Sequence, residues 1–229
     1  MEQARFEGLL RRLAGVRSRR EFLAVLGAAA LAALPGPASG ATSTDTATGN
    51  EREESIPALA RAWLGWITRQ QFLPILASGA VDCAAGQEGA TWFLAGSDLD
   101  AGPVSRRCTI PAETRLFVPV VSAFCAEPQT AGAAQGTGLS TCAASFVDLF
   151  PRAELRATVN GESVPLTRAA SPLRSLLIAP DNPFAAPAGE YLQAADGYWA
   201  LLDPLPPGNH TIRLAAADDF DVTYELTVT

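Results

Sequence analysis

The sequence predicts a mainly β protein, a disulfide-braced β-sandwich with one amphipathic helix at its N-terminal end. Short runs of alternating apolar and polar residues, separated by glycine- and proline-rich turns, fill the second half of the chain, and the run over 220–228 is the clearest. Four cysteines between residues 83 and 142 can brace such a fold. Apolar residues at helical spacing over 56–76 predict the helix.

Paired arginines, Arg19 and Arg20, stand near the N-terminus, with Phe22 two residues further on and an uncharged run over 24–34. This order resembles the twin-arginine export signal of bacteria. The run is too short to cross about 30 Å of hydrocarbon, so we expect no stable membrane span after processing. Small residues over 38–41 predict cleavage near residue 40 or 41.

Composition predicts a flexible linker rich in Thr, Ala, Gly and Glu at 42–55, and the remaining length suits a single β-sandwich domain with an N-terminal helix at 56–229. The export resemblance implies a signal peptide at 1–41. It also implies the twin-arginine export machinery as a partner, cargo that is carried folded, and a location in the periplasm or outside the cell. The alternatives for the apolar run are a buried core helix, which the prolines and glycines over 35–40 disfavour, and an uncleaved anchor.

The charge of the exported part excludes one class of partner. Six of the 17 basic residues and three of the 24 acidic residues precede residue 42, so the remainder carries 11 basic and 21 acidic residues. A surface with this excess of carboxylates repels phosphate backbones, and we expect no binding to nucleic acid.

The four cysteines predict two disulfides, because an even number of thiols in an oxidising compartment is most simply paired. Three pairings are possible. We favour Cys83 with Cys108 and Cys125 with Cys142, since each bond then closes a moderate loop. A zinc site is the weaker reading because the sequence has no Cys-x-x-Cys and only one histidine.

Two acidic loops have the composition of calcium ligands. Asp98 lies near Asp100, and Asp218, Asp219 and Asp221 form the second group. Neither group matches the helix-loop-helix calcium pattern, so we predict no metal and no cofactor and keep calcium as an alternative.

Within the predicted helix over 56–76, Trp63 and Trp66 share one face with Leu59. The two tryptophans either seal the helix onto a sheet or form an aromatic platform for a ligand. Local patterns predict a further short helix at 141–150, surface loops at 96–102 and 127–138, and strands at 91–95, 114–121, 155–159, 162–166, 197–202, 209–214 and 220–228.

Turn signals organise the last third of the chain. Asn160-Gly161 joins two of these strands in a tight hairpin, and Leu-Pro-Pro-Gly over 205–208 precedes the last two strands. In this order of turns and strands the C-terminal half resembles immunoglobulin-like β-sandwich modules.

Four blocks carry a wider resemblance: 83–96 (CAAGQEGATWFLAG), 107–112 (RCTIPA), 117–119 (FVP) and 196–199 (DGYW). They look like a group of bacterial secreted proteins without assigned activity, and the likeness covers most of 60–229. The resemblance implies an architecture but no chemistry, because a fold does not specify a function.

No catalytic residue is predicted. His210 is the only histidine, and the nucleophile pattern Gly-x-Ser-x-Gly is broken after Ser140, where Cys142 replaces the last glycine. Asp82, Asp181 and Asp196 lie in turn-like contexts, but no spacing selects a carboxylate pair for hydrolysis.

The punctuated stretch over 179–199 is the best candidate for a recognition loop, because it combines aromatic, carboxylate and amide side chains. We therefore predict an exported, non-catalytic binding module for a saccharide or an envelope protein. The alternatives are a secreted carboxylate-dependent hydrolase and a structural envelope component, in which the aromatics of this stretch are buried. The candidate ligand-binding residues are Asp181, Asn182, Tyr191, Asp196, Tyr198 and Trp199.

The export prediction is tested by replacing Arg19 and Arg20 with lysine. The double variant should accumulate as uncleaved precursor in the cytoplasm, because the signal is read from the paired arginines. Fractionation and immunoblotting measure this, and unchanged export of the double variant would remove the assignment.

Overall fold

Eleven strands and two α-helices form the part of the chain that the structure describes. The structure is a computed structural model; it describes residues 55–70, 76–97, 102–128, 138–182, 187–216 and 220–229, within one compact unit, Glu54–Thr229. In chain order the elements are α1 (Ile56–Ile67), β1 (Gly79–Ala80), β2 (Thr91–Phe93), β3 (Val104–Ile110), β4 (Arg115–Pro128), α2 (Leu139–Val147), a 3-10 turn (Arg152–Glu154), β5 (Leu155–Val159), β6 (Glu162–Ser163), β7 (Thr167–Ala170), β8 (Arg174–Ile178), β9 (Gly189–Leu202), β10 (Gly208–Ala216) and β11 (Phe220–Val228).

The strands form two sheets, which confirms a mainly β, sandwich-like fold. Sheet 1 has the order β1-β3-β11-β10-β5-β6, and sheet 2 has the order β2-β4-β9-β7, with β8 pairing along another part of β9. Most neighbours are antiparallel, but β3 runs parallel to both β1 and β11, and β2 runs parallel to β4. Within the described ranges, no helix is long and apolar enough to cross a membrane.

Sheet 2 is buried on both faces. Leu116 and Val118 of β4 lie in the core between the sheets with Val222 of sheet 1. Phe117, between them in sequence, belongs instead to the cluster formed with α1. Since successive side chains of a strand point to opposite faces, a strand covered on both sides needs a continuous apolar run. The layers are therefore sheet 1, sheet 2 and α1.

Helix α1 is shorter than the sequence predicts. It begins with a proline in its first turn and ends at Ile67 rather than near residue 76. The hydroxyl of Thr68 lies 2.9 Å from the carbonyl oxygen of Leu64 and 3.2 Å from that of Leu177 in β8. These contacts join the end of the helix to a strand that sequence patterns did not predict.

Three tryptophans fasten α1 and sheet 2 to each other and to the loops. The ring of Trp199 stacks on Phe117 at 5.0 Å between centroids and meets Trp63 edge-on at 5.3 Å. Trp63 and Trp66 thus seal the helix onto a sheet, as the first of the two readings predicts. Each indole N–H donates a hydrogen bond of 2.9 Å to a backbone carbonyl oxygen: Trp63 to Leu94, Trp66 to Ala85 and Trp199 to Ala169.

Both predicted disulfides are present. Cys83 is bonded to Cys108 and Cys125 to Cys142, with Cα atoms 5.8 and 6.1 Å apart. The first bond ties the segment after β1 to β3, and the second ties β4 to α2. Two disulfides indicate an oxidising environment outside the cytoplasm.

The hairpin and the closing strand also follow the prediction. Asn160 and Gly161 have φ angles of 53° and 85°, which a type I′ turn requires at both central positions. The run over 220–228 is β11 along its whole length. Strand β4 continues to Pro128, beyond the predicted end at 121, and α2 begins and ends slightly earlier than predicted.

We expect Trp199→Ala to lower the free energy of unfolding by about 3–5 kcal/mol, because it empties the centre of the aromatic cluster and leaves the Ala169 carbonyl without its donor. Leu177→Ala, at a side chain 52% exposed, should change it by no more than about 0.5 kcal/mol. Urea titration followed by fluorescence measures both, and equal losses would contradict this account of the core.

Candidate functional site

The predicted recognition loop over 179–199 is wrong in its conformation, because from Gly189 onward it is strand β9. Trp199 is fully buried, and Tyr191 and Asn182 are 9% and 5% exposed. Asp181 is exposed in a left-handed turn with φ of 56°. Tyr191 packs with Ala126 and Ile178, and Trp199 packs under α1, so β9 buries both aromatic rings. Of the six candidates, the structure joins Asp196 and Tyr198.

Asp196 and Tyr198 lie on one face of β9, beside Arg168 of β7, and are joined there by Asp148 and Arg152. We call these five residues the Tyr198 surface. Tyr198 pairs with Arg168 in the strand register, and Asp196 is therefore its diagonal neighbour. Sequence reasoning missed Arg168, Asp148 and Arg152, because only the pairing of β7 with β9 and the packing of α2 bring them together.

Arg168 is the centre of the charges on this surface. Its guanidinium donates to Oδ2 of Asp196 at 2.8 and 3.2 Å and to Oδ1 of Asp148 at 2.6 Å. The hydrogen bonds to Asp196 and, second, to Asp148 raise the pKa of the guanidinium. One cation thus compensates two carboxylates and connects the end of α2 to sheet 2.

Asp196 is held rigidly. It is 5% exposed, and its second oxygen, Oδ1, accepts the backbone N–H of Gly197 at 2.7 Å. A Cβ at Gly197 would lie 2.8 Å from the carbonyl oxygen of Val121 and 2.9 Å from the ring of Trp199. Only glycine fits between these groups, which explains the Asp-Gly-Tyr-Trp order of the strand.

Two guanidinium groups lie over the ring of Tyr198. The Cζ atoms of Arg168 and Arg152 lie 5.7 and 5.9 Å from its centroid, within the range of cation–π attraction. Tyr198 is half-buried, whereas Arg152 is exposed and donates to the Leu155 carbonyl oxygen at 3.3 Å. Across the described residues, Arg152 has no carboxylate partner and the Tyr198 hydroxyl has no hydrogen bond. This surface can therefore donate hydrogen bonds to a ligand.

His210 is engaged in the fold. Its Nδ1 lies 2.9 Å from the amide nitrogen of Asn160, and its Nε2 lies 2.8 Å from the carbonyl oxygen of Pro206. Oδ1 of Asn160 accepts the N–H of Thr211, so the amide donates to Nδ1 and the imidazole carries its proton on Nε2. Both nitrogens join the β5–β6 hairpin to the turn before β10, which gives no support to a role as general base.

The acidic loops considered for calcium lie mostly outside the described residues, as do Arg19 and Arg20 of the export signal. Asp98, Asp100, Asp218 and Asp219 fall there. Asp221 is described, and its two oxygens accept from Nε of Arg213 at 3.0 and 3.1 Å. Where side chains are described, no group of three or more potential metal ligands occurs.

A second polar cluster is buried beneath the N-terminal loops. Arg106 of β3 is fully buried, and its guanidinium donates to the Tyr224 hydroxyl at 2.7 Å. Its other acceptors are the carbonyl oxygens of Leu76, Ala77, Ala95 and Gly96, at 2.8–3.2 Å. Buried and exposed residues alternate along β3, and Arg106 stands at a buried position. The sequence did not predict its burial, because a charged residue usually marks an exposed position of a strand.

This cluster is a structural brace. Burial raises the pKa of Tyr224, and the neighbouring Arg106 charge opposes that shift. The hydroxyl of Tyr224 donates to the Ala95 carbonyl oxygen at 2.8 Å while it accepts from Arg106. Every acceptor of Arg106 other than this hydroxyl is a backbone carbonyl, so the cluster orders loops and exposes nothing to a ligand.

The chain matches no protein-family model, no curated protein and no solved structure. The function is therefore argued from the geometry of the site.

Tyr224 predicts a loss of stability in alkali. Its pKa is raised in the folded protein above the ordinary value of 10.0, so its contribution is complete below about pH 10 and is lost as the pH rises through the higher folded value. Unfolding free energies measured between pH 8 and 11 should fall less steeply for Tyr224→Phe than for the wild type. Parallel profiles would contradict the assignment to Tyr224.

Proposed function

We propose that the protein is an exported, non-catalytic binding module that contacts a saccharide or an envelope protein through the Tyr198 surface. The observation that carries this proposal is that the exposed Arg152 lies over the half-buried ring of Tyr198. The neighbouring Asp148 and Asp196 are already paired with Arg168. Such a surface offers an aromatic ring on β9 and unused donors on the 3-10 turn before β5, the mixture that ligand sites use to orient polar partners.

A saccharide is the ligand class to test first. Sugar hydroxyls accept and donate hydrogen bonds in fixed directions, and planar guanidinium and carboxylate groups match such pairs of hydroxyls. On the Tyr198 surface Arg152 and the exposed carboxylate of Asp148, which also binds Arg168, supply these groups. A protein loop rich in carbonyl and amide groups is the other ligand this chemistry suits.

Export is part of the proposal. The two disulfides support an oxidising location, and the paired arginines support the twin-arginine route to the periplasm or the exterior. The two stacked sheets and the hairpin support the immunoglobulin-like likeness of the C-terminal half, although the parallel pairing of β3 with β11 departs from a purely antiparallel sandwich.

A carboxylate-dependent hydrolase is supported less well. The two carboxylates of the surface, Asp148 and Asp196, both accept from Arg168. In glycoside hydrolysis the paired carboxyl groups face the scissile bond, with one of them protonated. Here a guanidinium occupies the space between them, and Asp196 is buried, which leaves no position for the reacting bond.

The proposal predicts that ligand binding depends on Arg152 and on the Tyr198 hydroxyl. In a screen of saccharides and envelope fractions, Arg152→Gln and Tyr198→Phe should each weaken binding about tenfold, which corresponds to about 1.4 kcal/mol per lost charge-assisted contact. Their unfolding midpoints should stay near the wild-type value, since both changes leave the core intact.

The matched control is Arg107→Gln, an exposed arginine on β3 in the other sheet, which should bind as the wild type does. Wild-type binding by Arg152→Gln and Tyr198→Phe would place the ligand elsewhere. Absence of any ligand in the screen would favour the structural envelope component.

A further inference from the structure

Two arginines share one backbone acceptor at the start of β5. Nη1 of Arg152 donates to the carbonyl oxygen of Leu155 at 3.3 Å, and Nη1 of Arg156 donates to the same oxygen at 2.9 Å. Arg156 also donates to the carbonyl oxygen of Ala153. Both arginines are exposed, so the fold holds two like charges side by side at its surface. We call Arg152 and Arg156 the arginine pair.

No carboxylate offsets the arginine pair within the described ranges. The ion pairs there belong to Arg168 and Arg213. Glu154 lies between the two arginines in sequence, yet it is exposed and forms an ion pair with neither of them. Because a guanidinium carries several N–H donors and these two use only Nη1, most of the donors of the pair are left for a ligand.

Arg152 connects the arginine pair to the Tyr198 surface. Its Cζ atom lies 5.9 Å from the centroid of the Tyr198 ring, while its Nη1 contacts the carbonyl oxygen that Arg156 also contacts. The aromatic ring and the two guanidinium groups therefore follow one another along the surface. A ligand that contacts Tyr198 has the arginine pair next to it.

The charge of the rest of the chain limits which anion suits this place. From residue 42 onward the sequence carries 11 basic and 21 acidic residues, so its overall field repels a polyanion. A ligand with one negative group is repelled far less, because charges beyond about 8 Å are largely screened at physiological ionic strength. The arginine pair therefore suits a single anionic group on an otherwise neutral ligand.

From these observations we infer that the ligand of the Tyr198 surface is an acidic saccharide, one that carries a carboxylate bound jointly by Arg152 and Arg156. The inference rests on the proposed function and narrows it to one class of saccharide. Planar guanidinium groups bind a carboxylate through parallel N–H···O bonds, so a pair that shares a backbone acceptor fixes the orientation of both carboxylate oxygens.

The test uses the oxidised full chain and a set of oligosaccharides, each with one uronic acid. Every member is compared with its carboxyl-reduced form, in which a primary alcohol replaces the carboxylate and the other hydroxyls are unchanged. Isothermal titration should show binding of an acidic member, with an affinity about a hundredfold lower for its reduced form, because two charge-assisted contacts are lost.

Variants of Arg156 assign this preference to the arginine pair. Arg156→Gln should weaken binding of the acidic form about tenfold and leave binding of the reduced form unchanged. Arg156→Lys, which keeps the charge but not the planar group, should recover only part of that loss. Arg107→Gln, at an exposed arginine of β3, should bind both forms as the wild type does. If Arg156→Gln weakens both forms and lowers the unfolding midpoint, its role is structural and the inference fails.

The remaining outcomes separate this inference from the proposed function. Equal affinities for the acidic and reduced forms, both weakened by Arg152→Gln and Tyr198→Phe, would overturn the inference and leave the proposed function standing. Failure of both forms to bind would also overturn the inference. The wider screen of neutral saccharides and envelope fractions, which needs no carboxylate, then decides the proposed function by itself.

Discussion

The packing of Trp199 between α1 and β4 is the interaction on which the rest of the structure depends. This ring touches Phe117 on its own sheet and Trp63 on the helix, and its N–H reaches the backbone of β7. It therefore holds three elements at once. Because successive side chains of β9 point to opposite faces, the position of Trp199 under α1 places its neighbour Tyr198 on the other face, where it packs against the core between the sheets.

A second regularity is that side-chain donors, more than regular secondary structure, order the irregular segments of the fold. Two indoles and one guanidinium donate to carbonyl oxygens in the connections around β1 and β2. A buried carbonyl group without a hydrogen-bond partner destabilises the fold, because it has lost its contact with water. A side-chain donor that is not bound to a carboxylate can supply the missing hydrogen bond. Arg106 can serve because carbonyl dipoles and one phenol surround its charge, so no acidic partner has to be buried with it.

The sequence predicted features that local patterns specify and missed those that long-range pairing decides. The alternation of apolar and polar residues predicted β11, and the Asn160-Gly161 turn predicted the β5–β6 hairpin, because both features depend on residues that are neighbours in sequence. The disulfides followed from loop length. The mostly exposed strand β8 carries no alternation and was missed. Prolines and glycines suggested a loop over 179–199, but the chain from Gly189 is β9, and the strand predicted at 197–202 matches only its end. For the candidate site, Asp196 and Tyr198 were predicted, but Arg168 was not, because only the register of β7 against β9 brings it there.

The same register supports the proposal that the Tyr198 surface binds a ligand without catalysis. Asp196 is buried and bonded on both oxygens, and Arg168 shares its charge between two carboxylates. These contacts commit both carboxylates and the guanidinium to the packing of α2 against sheet 2. They can hold Tyr198 and Arg152 in one arrangement, which lowers the entropy lost when a ligand is bound. A ligand of the kind proposed above would therefore meet donors held in fixed directions, chiefly those of Arg152.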